Sequence, residues 1–286
     1  MKIDNQAWMT LFDPLFPTNQ YLYHFTTIEK AVKILHSNTL KFSKTGSLND
    51  TLESKPKLSS DDFMFSGDFK RFSAALIHFR KINHDYLQIL CFSKDLPSQS
   101  RTHINERKLY TDYSGRGFAF PRMWAQYAGN NAGICFVFDK KTLCTIIEKS
   151  VGSLLIHSDD VEYINQFQHY EMYPNRIMKL AEQIKQQSEL QGSIATIDFL
   201  RNNTDFVKYN YFSKLDDWAS ENEFRFLGYG DSVFFVKDIF DALVGVVLGE
   251  MIAPYDEEIV KYFCHDVCEI KKITFAYKGC QLENVH

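Results

Sequence analysis

No stretch of the chain approaches the roughly 20 apolar residues of a membrane span, and residues 1–10 carry no apolar run of signal-peptide length. These two absences predict a cytoplasmic chain with no membrane partner. Four common chemical signatures are missing as well. The sequence contains no G-x-G-x-x-G, no P-loop, no G-x-S-x-G and no H-E-x-x-H. Their absence removes the usual dinucleotide, nucleotide-phosphate, hydrolase and zinc-protease readings. Cysteine is present without a pattern: Cys91, Cys135, Cys144, Cys264, Cys268 and Cys280 are scattered. Cys264-His265 with Cys268 lacks the paired C-x-x-C of a zinc ribbon, so buried reduced thiols and no metal are expected. An excess of positive charge is also lacking. A net charge of −4 argues against broad, non-specific nucleic-acid binding.

What the chain does have is aromatic mass. Its 286 residues include 25 Phe and 15 Tyr, and 45% are hydrophobic against 24% charged. That balance predicts one well-filled globular domain over 1–286. An amphipathic helix is expected over 3–12 and an aromatic strand over 21–25. A helix to about residue 37 follows, its start marked by Thr26-Thr27-Ile28-Glu29, which has the spacing of a capping box. Further strands are expected at 39–43, 86–93, 133–138, 232–236, 243–249 and 267–276. Helices are expected at 61–84, 123–128, 255–264 and from an Asp139 cap to 150. The span 94–121 reads as a long surface loop and 160–210 as mostly helical. The sum is an α+β fold with short strands and helices in irregular alternation.

One stretch concentrates polar groups on an ordered pattern. From Glu221 to Phe226 the sequence E-N-E-F-R-F places Glu221, Glu223 and Arg225 on one parity and Phe224 and Phe226 on the other. In a strand this sets two carboxylates and a guanidinium on one face and two core anchors on the opposite one. Such a row is either a solvated strand face or a polar cleft on a rigid element. Trp218 stands where the chain would turn into that strand. His24 ends the first strand, where it reads either as a histidine satisfied by the backbone or as part of an anion-handling strand end. Trp124 and Tyr127, three apart on a short helix, are equally candidates for the core and for a site.

Several motifs occur in a fixed order. They are Y-H-F-T-T at 23–27, T-L-K-F-S at 39–43, L-N-D at 48–50, C-F-S at 91–93, M-W-A-Q-Y-A at 123–128, G-I-C-F-V-F-D at 133–139 and W-A-S-E-N-E-F-R at 218–225. That order resembles the bacterial family catalogued as domain of unknown function 2971, over roughly residues 21 to 250. Leu48-Asn49-Asp50-Thr51 departs from the family's pattern of an aromatic before Asn and a proline after Asp. A histidine closing the first strand and a late E-x-E also resemble the ADP-ribosyltransferase superfamily. The opening Y-H-F-T-T-I-E-K-A-V-K-I-L is similar to that of its DNA-modifying toxins.

This second resemblance implies a split mixed β-sheet core with surrounding helices, and the mostly helical stretch reads as an insertion between the strands at about 140–212. It implies NAD as substrate and a macromolecular acceptor, nucleic acid or protein, as in a toxin or an anti-phage defence effector. His24 would hold the adenine-side ribose or the nicotinamide amide, and Ser43 or Tyr127 would supply a hydroxyl or stacking surface near the nicotinamide. Glu223 would be the catalytic carboxylate, stabilising the oxocarbenium-like charge as nicotinamide leaves. Glu221 would orient or deprotonate the acceptor. Arg225 would hold Glu223 ionised or pair with the diphosphate. Two other readings stay open: a non-catalytic nucleotide-binding or sensor module of the same fold, and a metal-dependent nuclease.

Overall fold

A computed structural model of the chain describes residues 20–48, 77, 82, 84–97, 113, 115–165, 189–277 and 279–285. The helix expected at 3–12, most of that at 61–84 and most of the loop at 94–121 lie outside the described residues. The first half of the chain forms β1 (Tyr21–Thr26), α1 (Ile28–Ser37), β2 (Thr39–Lys41), β3 (Ser43–Lys44), β4 (Leu87–Ser93), α2 (Pro121–Tyr127), β5 (Ile134–Asp139) and α3 (Lys140–Val151). Then come β6 (Leu155–Asp160), β7 (Glu162–Ile164), α4 (Glu189–Asn202), α5 (Thr204–Tyr211), β8 (Ser213–Leu215) and β9 (Glu223–Tyr229). The chain closes with β10 (Phe235–Lys237), β11 (Leu243–Leu248), α6 (Pro254–Cys264), β12 (Glu269–Ala276) and β13 (Gly279–Asn284).

Near-continuous apolar runs make the middle of the sheet, because a strand covered on both faces has no solvent side to keep polar. β5 reads I-C-F-V-F-D with its first five residues buried, and β11 reads L-V-G-V-V-L with all but Val244 buried. The main sheet has nine strands in the order β13-β12-β11-β5-β1-β4-β9-β6, with β3 added beside β4. Every pairing in it is antiparallel except β11 with β12. The architecture is therefore mixed α+β with a mostly antiparallel open sheet.

Helices cover both faces. On one, Leu22, Phe92, Phe136, Phe138, Phe224 and Phe226 pack with Ala31 and Leu35 of α1, Leu143 and Ile147 of α3 and Val260 of α6. On the other, Tyr23, Phe25, Cys135 and Val137 lie under Trp124 of α2. Leu227 and Tyr229 on that second parity pack with Leu200 of α4 and with Phe206 and Val207 of α5.

Three expectations change. The span after α3 does not start helical: β6 closes one edge of the sheet and β7 pairs with β8. β6 is half-exposed along most of its length, so no apolar alternation marked it. β13, the other edge strand, is mostly exposed for the same reason and was not anticipated. The capping box does not form. Thr26 stays in β1, the N-cap Thr27 makes no side-chain bond, and Glu29 instead accepts from Lys33 Nζ at 2.6 Å. Asp139 does cap α3, its carboxylate accepting from Thr142 N at 2.8 Å.

One junction is thin. β1 pairs with β5 through six registers and β4 with β9 through seven, but β1 meets β4 at Tyr23↔Ser93 alone. The sheet thus consists of two leaves joined at one point.

Beside the end of β11, backbone approaches backbone closely. A Cβ on Gly249 would lie 2.0 Å from the carbonyl oxygen of Asn131, and Gly249 N donates to Gly133 O at 3.0 Å. Main chain cannot yield as a side chain would. Gly249→Ala is expected to destabilise the protein by about 1–3 kcal/mol, the usual cost of overpacking, measured by urea unfolding.

Candidate functional site

The seam between the leaves sets which polar groups can meet. Residues paired directly across a sheet point to the same face. The registers Tyr23↔Ser93 and Ser93↔Glu223 therefore put these three side chains in one transverse row on one face. Cys91↔Arg225 forms the next polar row on that face. Helix α2 crosses this face, and its half-buried Tyr127 reaches over to the acidic end of β9.

β9 begins at Glu223, so Glu221 does not share a strand face with it as the alternation suggested. Glu221 ends the 3-10 turn Asp216–Glu221, and Asn222 follows with φ of 43°. Asparagine tolerates this left-handed conformation. Its side-chain nitrogen ties the turn down, donating to Lys94 O at 3.0 Å and Asp95 O at 2.9 Å. The bend turns Glu221 back into the same cluster from outside the strand.

The result is a buried network in which opposite charges alternate. Tyr127 Oη donates to Glu221 Oε1 at 2.6 Å, and Lys214 Nζ donates to Glu221 Oε2 at 2.7 Å. Lys214 Nζ also lies 3.7 Å from Glu223 Oε2, which accepts from Arg225 Nε at 2.8 Å and from Arg225 Nη2. Arg225 Nη1 donates to Tyr211 O at 2.9 Å. Glu221 is fully buried, Lys214 and Arg225 nearly so, and the side chain of Glu223 keeps 9% exposure. Two anions and two cations leave this set neutral, which is the condition for placing four charges where water is scarce. Backbone bonds lock the strand end, since Glu223 N donates to Tyr163 Oη at 2.9 Å and Val161 N to Glu223 O at 3.0 Å.

Burial and the neighbouring carboxylates push both tyrosine hydroxyls, Tyr127 and Tyr163, far above the usual phenol range. Tyr127 is thus a fixed donor to Glu221. At the rim, Trp218 has Lys214 Nζ 4.6 Å and the Arg122 guanidinium 5.2 Å from its ring centre. Arg122 Nη1 donates to Asp217 O at 2.6 Å and Ser220 Oγ at 3.2 Å, which ties the 216–221 turn to α2.

Of the residues singled out in the sequence, Tyr127, Glu221, Glu223 and Arg225 come together. His24 does not join them. It follows Tyr23, so strand alternation turns it to the other face, where its ring lies 5.6 Å from that of Phe92. Its Nδ1–H donates to Cys91 O at 3.3 Å, across the seam where β1 and β4 no longer pair. Burial lowers its pKa from 6.5 to about 4, so the imidazole is neutral near pH 7. Ser43 is exposed and pairs with Ile89, four residues along β4 from Ser93, or about 13 Å at strand rise. Trp124 is fully buried, donating Nε1–H to Phe118 O at 2.7 Å, and belongs to the core.

Sequence reasoning missed Lys214 and Tyr163. For Lys214 a signal existed: two carboxylates beside one arginine leave a charge unbalanced, and the lysine lies seven residues before Glu221. It also missed a second buried polar group on the same face. Arg116 Nε and Gly117 N donate to Asp95 Oδ1 at 3.3 and 2.7 Å, and Arg116 Nη2 donates to Tyr23 Oη at 3.2 Å. Among the described residues no group of His, Cys, Asp and Glu has the arrangement of a metal site.

Two outcomes follow from this geometry. Lys214→Met leaves the buried Glu221 carboxylate without its cation and is expected to lower stability by about 3–5 kcal/mol. Combining it with Glu221→Gln should recover part of that loss in a denaturation double-mutant cycle. The unfolded chain protonates His24 near pH 6.5 and the folded one only near 4. Stability contributed by neutral His24 is therefore complete above pH 6.5 and is lost as pH falls toward 4. His24→Gln should flatten that part of the stability–pH curve.

Residues 123–226 match the family model described as "Protein of unknown function (DUF2971)". The matched span contains Tyr127, Lys214, Glu221, Glu223 and Arg225, and leaves out His24, Ser43 and Ser93. No curated protein and no solved structure matches the chain. The match supports the resemblance of the central part of the chain to the DUF2971 family.

Proposed function

We propose that the protein is an ADP-ribosyltransferase-like enzyme that consumes NAD and transfers ADP-ribose to a macromolecular acceptor or to water. The observation that carries this reading is the orientation of Glu223. Its carboxylate stands at the end of a rigid strand, held by Arg225 and within 3.7 Å of Lys214, at the row where the two leaves of the sheet meet. Cleavage of the nicotinamide–ribose bond develops positive charge on the sugar. A preoriented anion stabilises that charge as it forms, with no reorganisation at the moment of reaction.

Glu221 is the second carboxylate, and its distance from the reacting carbon is set by the turn rather than by the strand. Its bonds to Tyr127 and Lys214 suit it to aligning the Glu223 side of the site. The proposed role of His24 narrows accordingly to bracing the seam through Cys91 O. NAD is the substrate in this reading, and a toxin or defence effector acting on nucleic acid or protein is the context it fits.

One observation favours a second reading. The four charges of the network balance one another and bury themselves without a ligand, as they would in a non-catalytic nucleotide-binding or sensor module.

Calorimetry with NAD on the wild type and on Glu223→Gln, followed by nicotinamide release in cell extract, separates the two. The transferase reading expects both proteins to bind and release by the variant to fall about 10²–10³-fold, the usual effect of removing one transition-state charge contact. Chelator should leave release unchanged. Failure of both proteins to bind NAD overturns this reading in favour of the non-catalytic module.

A further inference from the structure

At the end of β4 and β9 away from Glu223, an open cleft of about 530 Å³ is lined by Lys44, Gly46, His84, Asp85, Tyr86 and Asp231. That volume is within the range of small-molecule sites. The register separates the cleft from the seam. Leu87 pairs with Tyr229 and Ser93 with Glu223, six residues or about 20 Å apart at strand rise. β3 supplies Lys44, the chain entering β4 supplies His84, Asp85 and Tyr86, and the chain leaving β9 supplies Asp231. Buried Gln88 fixes that exit, its Nε2 donating to Gly230 O at 2.9 Å and to Ser232 O at 2.8 Å.

The lysine in this lining is committed to main chain. Lys44 Nζ donates to Asp85 O and, at 2.8 Å, to Asp231 O, rather than to the carboxylate of either residue. Asp85 Oδ1 accepts from His84 Nδ1–H at 2.8 Å, and Asp231 Oδ1 accepts from Ser232 N at 2.7 Å. Each aspartate uses one oxygen in these bonds and keeps the other. One lysine against two carboxylates leaves the lining one negative charge in excess. The Tyr86 ring is stacked on that of Tyr229, with centroids 5.5 Å apart and planes 13° apart, which makes a stiff aromatic wall. A Cβ on Gly46 would lie 2.4 Å from His84 Cδ2, so glycine is what lets the imidazole sit against the 45–47 turn.

We propose that this cleft binds a small organic cation, an amine or guanidinium carried on a flat apolar body. The cation takes a free carboxylate oxygen in a charge-assisted hydrogen bond and neutralises the lining. The flat body lies against Tyr86, whose ring face also attracts positive charge. An anion would meet two carboxylates and a lysine already held by two carbonyls. The histidine and the aspartates do not have the arrangement of a metal site. The site is separate from the one read for NAD and does not depend on that reading.

The test is a backbone-amide NMR titration of the full chain with benzamidine and with phenethylamine, and with uncharged benzamide and anionic benzoate as controls. At least one of the two cations should shift amides at 44–47, 84–86 and 230–232 and saturate with a Kd of about 1 mM or tighter. Benzamide and benzoate should bind at least about tenfold more weakly. Asp231→Asn removes the charge and keeps an acceptor for Ser232 N, so the variant should melt with the wild type and bind the cation about tenfold more weakly. Absence of shifts around the cleft with both cations overturns the inference. So does benzoate binding as tightly as the cations, which would make Lys44 the anchor of an anion site. Unchanged cation affinity in Asp231→Asn overturns it as well, and none of these outcomes touches the NAD reading.

Discussion

The need for charge balance where water is excluded governs this molecule's polar centre. Glu221 and Glu223 enter a region where a lone carboxylate would be far too costly, and Lys214 and Arg225 enter with them. Each cation comes from a different element, β8 for the lysine and β9 for the arginine. The ion pairs therefore tie the 3-10 turn, β8 and the end of β9 into one unit. Tyr127 extends that unit to α2, and Asn222 extends it to the chain leaving β4. A network so placed fixes where the acidic end of β9 can be, and with it the geometry of the seam.

The seam supplies the other half of the account. A sheet that is continuous through β1 would have used the carbonyl of Cys91 in an ordinary ladder bond. Here β1 and β4 part after one register, and the imidazole of His24 takes that carbonyl instead. The parting also leaves Ser93 at the edge of the gap, with a hydroxyl that no partner among the described residues reaches. Rigid leaves on either side, packed by helices on both faces, hold these groups to a fixed spacing.

Much of the scaffold was legible in the sequence because its signals are local. An aromatic run marked β1, apolar runs marked β4 and β5, Asp139 marked the start of α3, and Phe224 with Phe226 marked the apolar face of β9. The edge strands β6 and β13 carry half-exposed residues with no clean period, so they were invisible to the same test. The site was legible in composition and less so in arrangement. Glu223 and Arg225 do share a face, but the positive φ at Asn222 breaks the alternation that would have carried Glu221 with them. His24 lies on the face opposite Glu223, a separation the motif could not show because a motif fixes order and not the parity of pairing across a seam. Lys214 and Tyr163 are single polar residues whose role depends on contacts from distant elements, and no spacing rule reaches that far.

The most direct measurement is a crystal structure of the Glu223→Gln protein soaked with NAD, a variant in which the proposed reading expects slowed turnover and a retained ligand. The account predicts electron density for the nicotinamide-side ribose against the introduced amide at position 223, with Tyr127 displaced from Glu221. Density for NAD elsewhere on the protein, with the Tyr127–Glu221 bond intact, would contradict it.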